Sequence, residues 1–190
     1  MNNLEKAKKE FKKYISNYNL NNPEIARKVG HSYRVSEICE KIAKSLNLSD
    51  KEIEVATLIG LLHDIGRFKQ QTKYKTYEDI HSVDHAKLGV EILEQNDYIR
   101  NYYQDDKYDD IIKTSIFYHN KYEIKKGLND KELTFCKIIR DSDKLDIFYE
   151  AIEIFWKENV TIKDGITNKV FKDFIEKKQI LNQDRVTRIR

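Results

Sequence analysis

Apolar residues return every three to four positions along most of the chain, the repeat of amphipathic helices. Residues 4–17 place Leu4, Ala7, Phe11, Tyr14 and Ile15 on one face. The next helix has an explicit start. Asn22 can cap it, Pro23 suits the first helical position because an N–H there would go unpaired, and Ile25, Val29, Val35, Ile38, Ile42 and Leu46 follow on one broad face. Ser49-Asp50-Lys51-Glu52 has the form of a capping box and opens a third helix through Ile53, Ala56, Ile59 and Leu62. Val83–Leu93 resumes the helical spacing, and a further helix through Ile111, Ile112, Ile116 and Phe117 ends at Tyr118-His119-Asn120. A second capping box, Asn129-Asp130-Lys131-Glu132, precedes Leu133, Phe135, Cys136, Ile138 and Ile139. Beyond Ala151, the residues Ile152, Phe155, Trp156, Val170, Phe171, Phe174 and Ile175 predict two more helices over 151–182 that complete the core. Two stretches break the pattern. Ile65 to Ile80 turns polar and reads as a partly ordered loop, and Asn96 to Asp110, rich in Tyr and Asp, reads as a surface connection.

Composition narrows this to an all-α fold. Six glycines and one proline in 190 residues leave few helix breakers, and no run alternates as a half-buried strand would. The length suits one domain, a single helical bundle over 1–190. Lysine plus arginine (35) nearly balances aspartate plus glutamate (32), which suits a solvated exterior better than a nucleic-acid stripe. Arg185, Arg188 and Arg190 form a small basic tail of no recognisable motif. Cys39 and Cys136 are far apart and outside any Cys-x-x-Cys pair, so they read as reduced core residues. The N-terminus lacks an apolar signal core, and no apolar run approaches the ~18 residues of a membrane span. A cytoplasmic location is expected.

The chemistry centres on Leu58-Ile59-Gly60-Leu61-Leu62-His63-Asp64-Ile65-Gly66-Arg67, an apolar run that ends in an imidazole beside a carboxylate. Burying both without partners is costly, whereas a metal ion uses both as ligands and supplies the compensating charge. The dipeptide alone is weak, since five histidines and sixteen aspartates in 190 residues give about 0.4 such pairs by chance. Context strengthens it. His31 lies within the second helix; His81 and His85 are four apart, with His85 the better candidate because Asp84 adjoins it; His119 ends an apolar helix; and Asp141, Asp143 and Asp146 sit among apolar neighbours. Nitrogen and oxygen donors without thiolate suit Fe, Mn, Co, Ni, Zn or Mg. Six ligands exceed what one catalytic ion needs and suit two divalent ions bridged by a carboxylate.

This order of residues resembles the HD-domain superfamily of metal-dependent phosphohydrolases over roughly residues 22 to 150. His63-Asp64 in its apolar run matches the family's central signature, and His31 falls where the first histidine belongs. Ile139-Arg140-Asp141-Ser142-Asp143-Lys144-Leu145-Asp146 is similar to the last metal-binding segment, with Asp143 as the implied ligand and Asp141 in reserve. Asp84-His85-Ala86-Lys87-Leu88-Gly89 and His119 match the extra histidines of binuclear members. No Gly-Tyr-Pro motif follows His119, which argues against a cyclic dinucleotide substrate, and the chain is too short for the added domains of the alarmone enzymes.

The resemblance implies a helical bundle holding metal through His31, His63, Asp64, His85, His119 and Asp143. Asp64 then bridges two ions, and a metal-activated water attacks a phosphomonoester or phosphodiester of a nucleotide or other small phosphorylated metabolite. Arg67, just past the ligand pair, could offer a bidentate fork to the phosphate, and Lys69 and Lys73 add positive charge. Two other readings share this pattern: a diiron oxygenase, and a nucleotide-sensing module without turnover.

Overall fold

The computed structural model describes residues 3–157, and every regular element among them is helical. Seven α-helices follow in order: α1 Asn3–Ile15, α2 Pro23–Ser45, α3 Asp50–Leu62, α4 Ile65–Tyr74, α5 His85–Glu94, α6 Asp109–Tyr118 and α7 Asp130–Lys157. Short 3-10 turns occupy Asp79–His81 and Asp106–Tyr108, and Gln95–Asn101 is broken by a kink at Asn96 and Asp97, whose φ values are 53° and 54°. Two compact units are delimited, Met1–Asp146 and Ile147–Arg190, and the second is helical as far as Lys157. The expected core-closing helices over 151–182 and the basic tail lie, apart from 151–157, outside the described residues. No helix among the described residues is long and apolar enough to cross a membrane.

The anticipated caps are present. Asn22 Oδ1 accepts from the Glu24 N–H at 2.9 Å, with Pro23 at the start of α2. Glu52 Oε2 accepts from the Ser49 N–H at 3.0 Å, and Glu132 and Asn129 exchange reciprocal bonds of 3.0 and 2.9 Å. These side chains satisfy amide donors that the helix itself leaves unpaired.

Helix α3 is the centre of the first unit. All residues from Val55 to Leu62 are buried, the signature of a helix packed on every side, and α1, α2 and α6 pack against it. Its contact with α2 is close because of Gly60. A Cβ there would lie 2.7 Å from the Ser36 Cα and 2.9 Å from the Val35 carbonyl oxygen. Ser36 Oγ donates to the Thr57 carbonyl at 2.7 Å and ties the two backbones together. This seam sets the distance between His31 on α2 and His63 at the end of α3. Both cysteines are free and fully buried, and burial pushes their thiols up to about 12 for Cys39 and about 11 for Cys136.

Two readings of the polar stretches are corrected. Residues 65–74, expected as loop, form α4, which buries Ile65, Phe68 and Gln70 and turns Lys69 and Lys73 outward. A short helix with few inward residues looks irregular to a periodicity argument. The segment 96–110, expected at the surface, buries Ile99, Tyr102, Tyr103 and Tyr108 to within 5% exposure. Tyrosine carries an apolar body behind a polar tip, so a polar-looking run can still furnish core. Tyr102, for example, stacks edge-on against Tyr98 at 5.4 Å between centroids.

Candidate metal centre

The two central residues sit at a break between helices. His63 caps the C-terminus of α3, Asp64 leaves helical geometry at φ −102° and ψ 17°, and α4 begins at Ile65. Both side chains are buried, at 0% and 2% exposure. The structure brings the other expected residues to them: His31 from α2, His85 from the first turn of α5, His119 from the end of α6 and Asp143 from α7.

The arrangement is divided by the Asp64 carboxylate. Its Oδ2 lies 3.5 Å from the Nε2 atoms of both His31 and His63, which are 3.2 Å from each other. Its Oδ1 lies 3.4 Å from His85 Nε2 and 3.5 Å from His119 Nε2, which are 3.0 Å apart. Asp143 Oδ1 joins the first group, 3.0 Å from His31 Nε2 and 3.6 Å from His63 Nε2. Asp141 takes no part in it. His81 is exposed and pairs with Glu78 at 2.5 Å instead.

The opposite nitrogen of each imidazole explains why these rings face one another. Nδ1 meets the Asp146 carboxylate at 2.7 Å in His31, the Gly60 carbonyl at 2.8 Å in His63, an Asp79 oxygen at 2.7 Å in His85 and the Ile116 carbonyl at 2.6 Å in His119. Facing an acceptor, each Nδ1 carries the proton and donates, so a neutral ring presents its Nε2 lone pair inward. Two such lone pairs 3 Å apart repel unless a metal ion, or a proton such as the one His31 can carry, lies between them. Ligands of one ion, with bonds of about 2.0–2.2 Å at 90–109°, lie about 2.8–3.6 Å apart. Every donor separation above falls in that range, so the residues present fit divalent metal.

The electrostatics keep the two central carboxyls, Asp64 and Asp143, ionised. Burial alone would raise the Asp64 carboxyl, but the Lys28 ammonium, with Nζ 2.7 Å from Oδ2, and the surrounding imidazoles hold it well below the usual range. Burial opposes charge on His31, yet hydrogen bonds to Asp143 and Asp146 and the nearby Asp64 outweigh it and raise the ring to about 9. Burial lowers His63, and it pushes His85 down to about 4 in spite of Asp79. The Asp143 carboxyl stays below its ordinary value despite burial, through His31 and His63.

Arg67 lies at the rim with Nε 3.6 Å from Asp64 Oδ1. Its Nη1 donates to Gln70 Oε1 at 2.9 Å, to Asp79 Oδ1 at 3.0 Å and to the Tyr77 carbonyl, while the buried Nε has no hydrogen-bond partner. Sequence reasoning missed four contributors. Asp79 orients His85 and also receives Arg67, Gln70 and Asn120; Asp146 holds His31 and pairs with Arg34 at 2.6 and 2.9 Å; Lys28 reaches Asp64. Asp146 belongs to the acidic run 141–146, but Asp79, Arg34 and Lys28 carry no local signal.

An all-α bundle that gathers four buried imidazoles around one buried aspartate defines a candidate metal-binding protein. Residues 29–147 match the family model of the HD domain, and the chain belongs to that family, whose members bind divalent metals and are generally metal-dependent phosphohydrolases. No curated protein and no solved structure matches the chain.

Proposed function

We propose that this protein is a cytoplasmic metal-dependent phosphohydrolase that cleaves a phosphomonoester or phosphodiester, of a nucleotide or other small phosphorylated metabolite. One observation carries the reading: the two oxygens of Asp64 each face a separate pair of imidazole nitrogens, the arrangement expected of a carboxylate shared by two ions. His31, His63 and Asp143 would hold one ion and His85 and His119 the other. Bound divalent ions bring water towards ionisation at neutral pH and neutralise phosphoryl oxygens. The chain's own residues do the rest. Asp146 and Asp79 hold the rings of His31 and His85 in orientation, and the Arg67 guanidinium, with Nε 3.6 Å from Asp64 Oδ1, adds positive charge beside the centre for an anionic group.

The test is incubation of metal-loaded protein with nucleotides, sugar phosphates and aryl phosphodiesters, with and without oxygen, beside Asp64→Ala and Arg67→Ala. The expected result is anaerobic hydrolysis with Mn²⁺, Co²⁺ or Ni²⁺ as well as iron, abolished in Asp64→Ala. Arg67→Ala should keep its metal and lose substrate affinity or turnover; unchanged kinetics would return Arg67 to a structural role. Activity confined to iron with oxygen would replace this reading by the diiron oxygenase. Inactivity on every phosphoester would leave the sensing module.

A further inference from the structure

Lys28 is placed on the second turn of α2 with its side chain only 12% exposed and its ammonium 2.7 Å from Asp64 Oδ2, the oxygen that also faces His31 and His63. It reaches this point along the face of Tyr77, whose ring centroid is 5.8 Å from Nζ. Tyr77 is itself anchored across the rim. Its hydroxyl donates to the Glu24 carbonyl at 2.9 Å, its own carbonyl accepts from Arg67, and its ring also faces the guanidinium groups of Arg27 and Arg67 at 6.0 and 5.7 Å.

The charges around the centre are matched in pairs. Arg34 lies on Asp146, Arg67 on Asp79, and Lys28 on Asp64. The first two acids face the outer nitrogens of histidines, so their pairs persist whatever the centre binds. The third does not. A cation taken up through Asp64 competes with Lys28 for the same oxygen and leaves a mostly buried ammonium without its counter-charge. Such a group requires another anion, since an unpaired buried charge is costly.

We propose that Lys28 is the receptor for the substrate's phosphate: displaced from Asp64 on metal binding, its ammonium is held by Tyr77 at the mouth of the centre and donates to a phosphoryl oxygen. This deepens the phosphohydrolase reading and rests on it. The same argument selects the kind of phosphate. A terminal phosphomonoester brings two charges and three non-bridging oxygens, a diester one charge and two oxygens. With both the His/Asp cluster and Lys28 to satisfy, the monoester is the better match.

The experiment compares wild type, Lys28→Met and Lys28→Arg, with inorganic phosphate as the probe. Metal content is measured by elemental analysis, phosphate binding to the metal-loaded protein by calorimetry, and KM and kcat on an aryl phosphomonoester and an aryl phosphodiester. Lys28→Met, nearly isosteric, should keep its metal or bind it more tightly, and should bind phosphate about tenfold or more weakly, the loss expected for one charge-assisted hydrogen bond. Its KM should rise more for the monoester than for the diester, with Lys28→Arg recovering part of both effects. Phosphate binding equal to wild type in Lys28→Met overturns the proposal. So does loss of metal in that variant, which would make Lys28 a structural partner of Asp64. Phosphate binding is read without turnover, so a wild type that binds phosphate through Lys28 but hydrolyses nothing would refute the function and spare the receptor.

Discussion

Gly66 offers the most direct test of how the helices bring the two halves of the centre together. A Cβ on this residue would lie 2.2 Å from the His85 carbonyl oxygen and 2.8 Å from the Gly89 nitrogen, whereas ordinary contact begins at 3.4 Å. Both obstacles are backbone, so no rotamer change relieves them. Gly66→Ala must push α4 and α5 apart by about 1.2 Å to reach ordinary contact. If the gap opens along the line from Asp64 to His85, their 3.4 Å separation becomes about 4.6 Å, beyond the reach of one ion with bonds of about 2.1 Å. Overpacking of this kind costs about 1–3 kcal/mol. With a urea m-value of about 2 kcal/mol/M, the midpoint of the metal-free protein should fall by about 0.5–1.5 M. Elemental analysis should show the loss of about one ion per chain, with the His31 and His63 half retained, because α2 and α3 do not touch this contact. Gly89→Ala is the control: its Cβ would meet a methyl of Ile65 at 3.3 Å, which small side-chain adjustment absorbs. The reasoning is refuted if Gly66→Ala matches wild type in both midpoint and metal content.

His85→Ala, His119→Ala and His63→Ala should each lower bound metal from about two ions to about one, while Asp64→Ala should lower it further, because Asp64 faces both groups. A wild type that never exceeds one ion in any metal tested would reject the second site. Glu52→Gln tests the tie between α3 and α7. Hydrogen bonds from Lys131, at 2.6 Å, and from Ser49 lower the Glu52 carboxyl from 4.5 to about 2. A depressed carboxylate stabilises the fold above its unfolded pKa and stops doing so as pH falls through its folded one. The variant should therefore lose about 1–2 kcal/mol at pH 7, after allowance for the exposed lysine, and converge with wild type between about pH 4.5 and 2. An equal deficit at pH 7 and pH 2 in chemical denaturation would contradict this.

The local patterns of the chain were sufficient for the helices that matter most. A cap at Asn22 followed by Pro23, capping boxes at Ser49 and Asn129, and apolar spacing between them are properties of neighbouring residues, and the structure places α2, α3 and α7 where those signals lie. His63 and Asp64 were legible for a similar reason: an apolar run ending in two ionisable groups needs compensation wherever it folds. The histidines of α2, α5 and α6 and Asp143 were legible through family resemblance, and the fold gathers them around Asp64.

Other features depend on contacts between distant segments and left no local trace. Helix α4 reads as loop because its apolar side is narrow, and Tyr102, Tyr103 and Tyr108 read as surface because their burial depends on the helices packed over them. Only the close approach of α2 to α3 across Gly60 turns His31 towards His63, and only the approach of α4 to α5 across Gly66 sets Asp64 near His85. The partners that orient the rings were equally hidden. Asp79 serves His85 after a fold of six residues, Asp146 serves His31 across 115, and Lys28 meets Asp64 across 36. A residue's type states what it could ligate, orient or neutralise; which partner it serves depends on distances that the packing of helices alone determines.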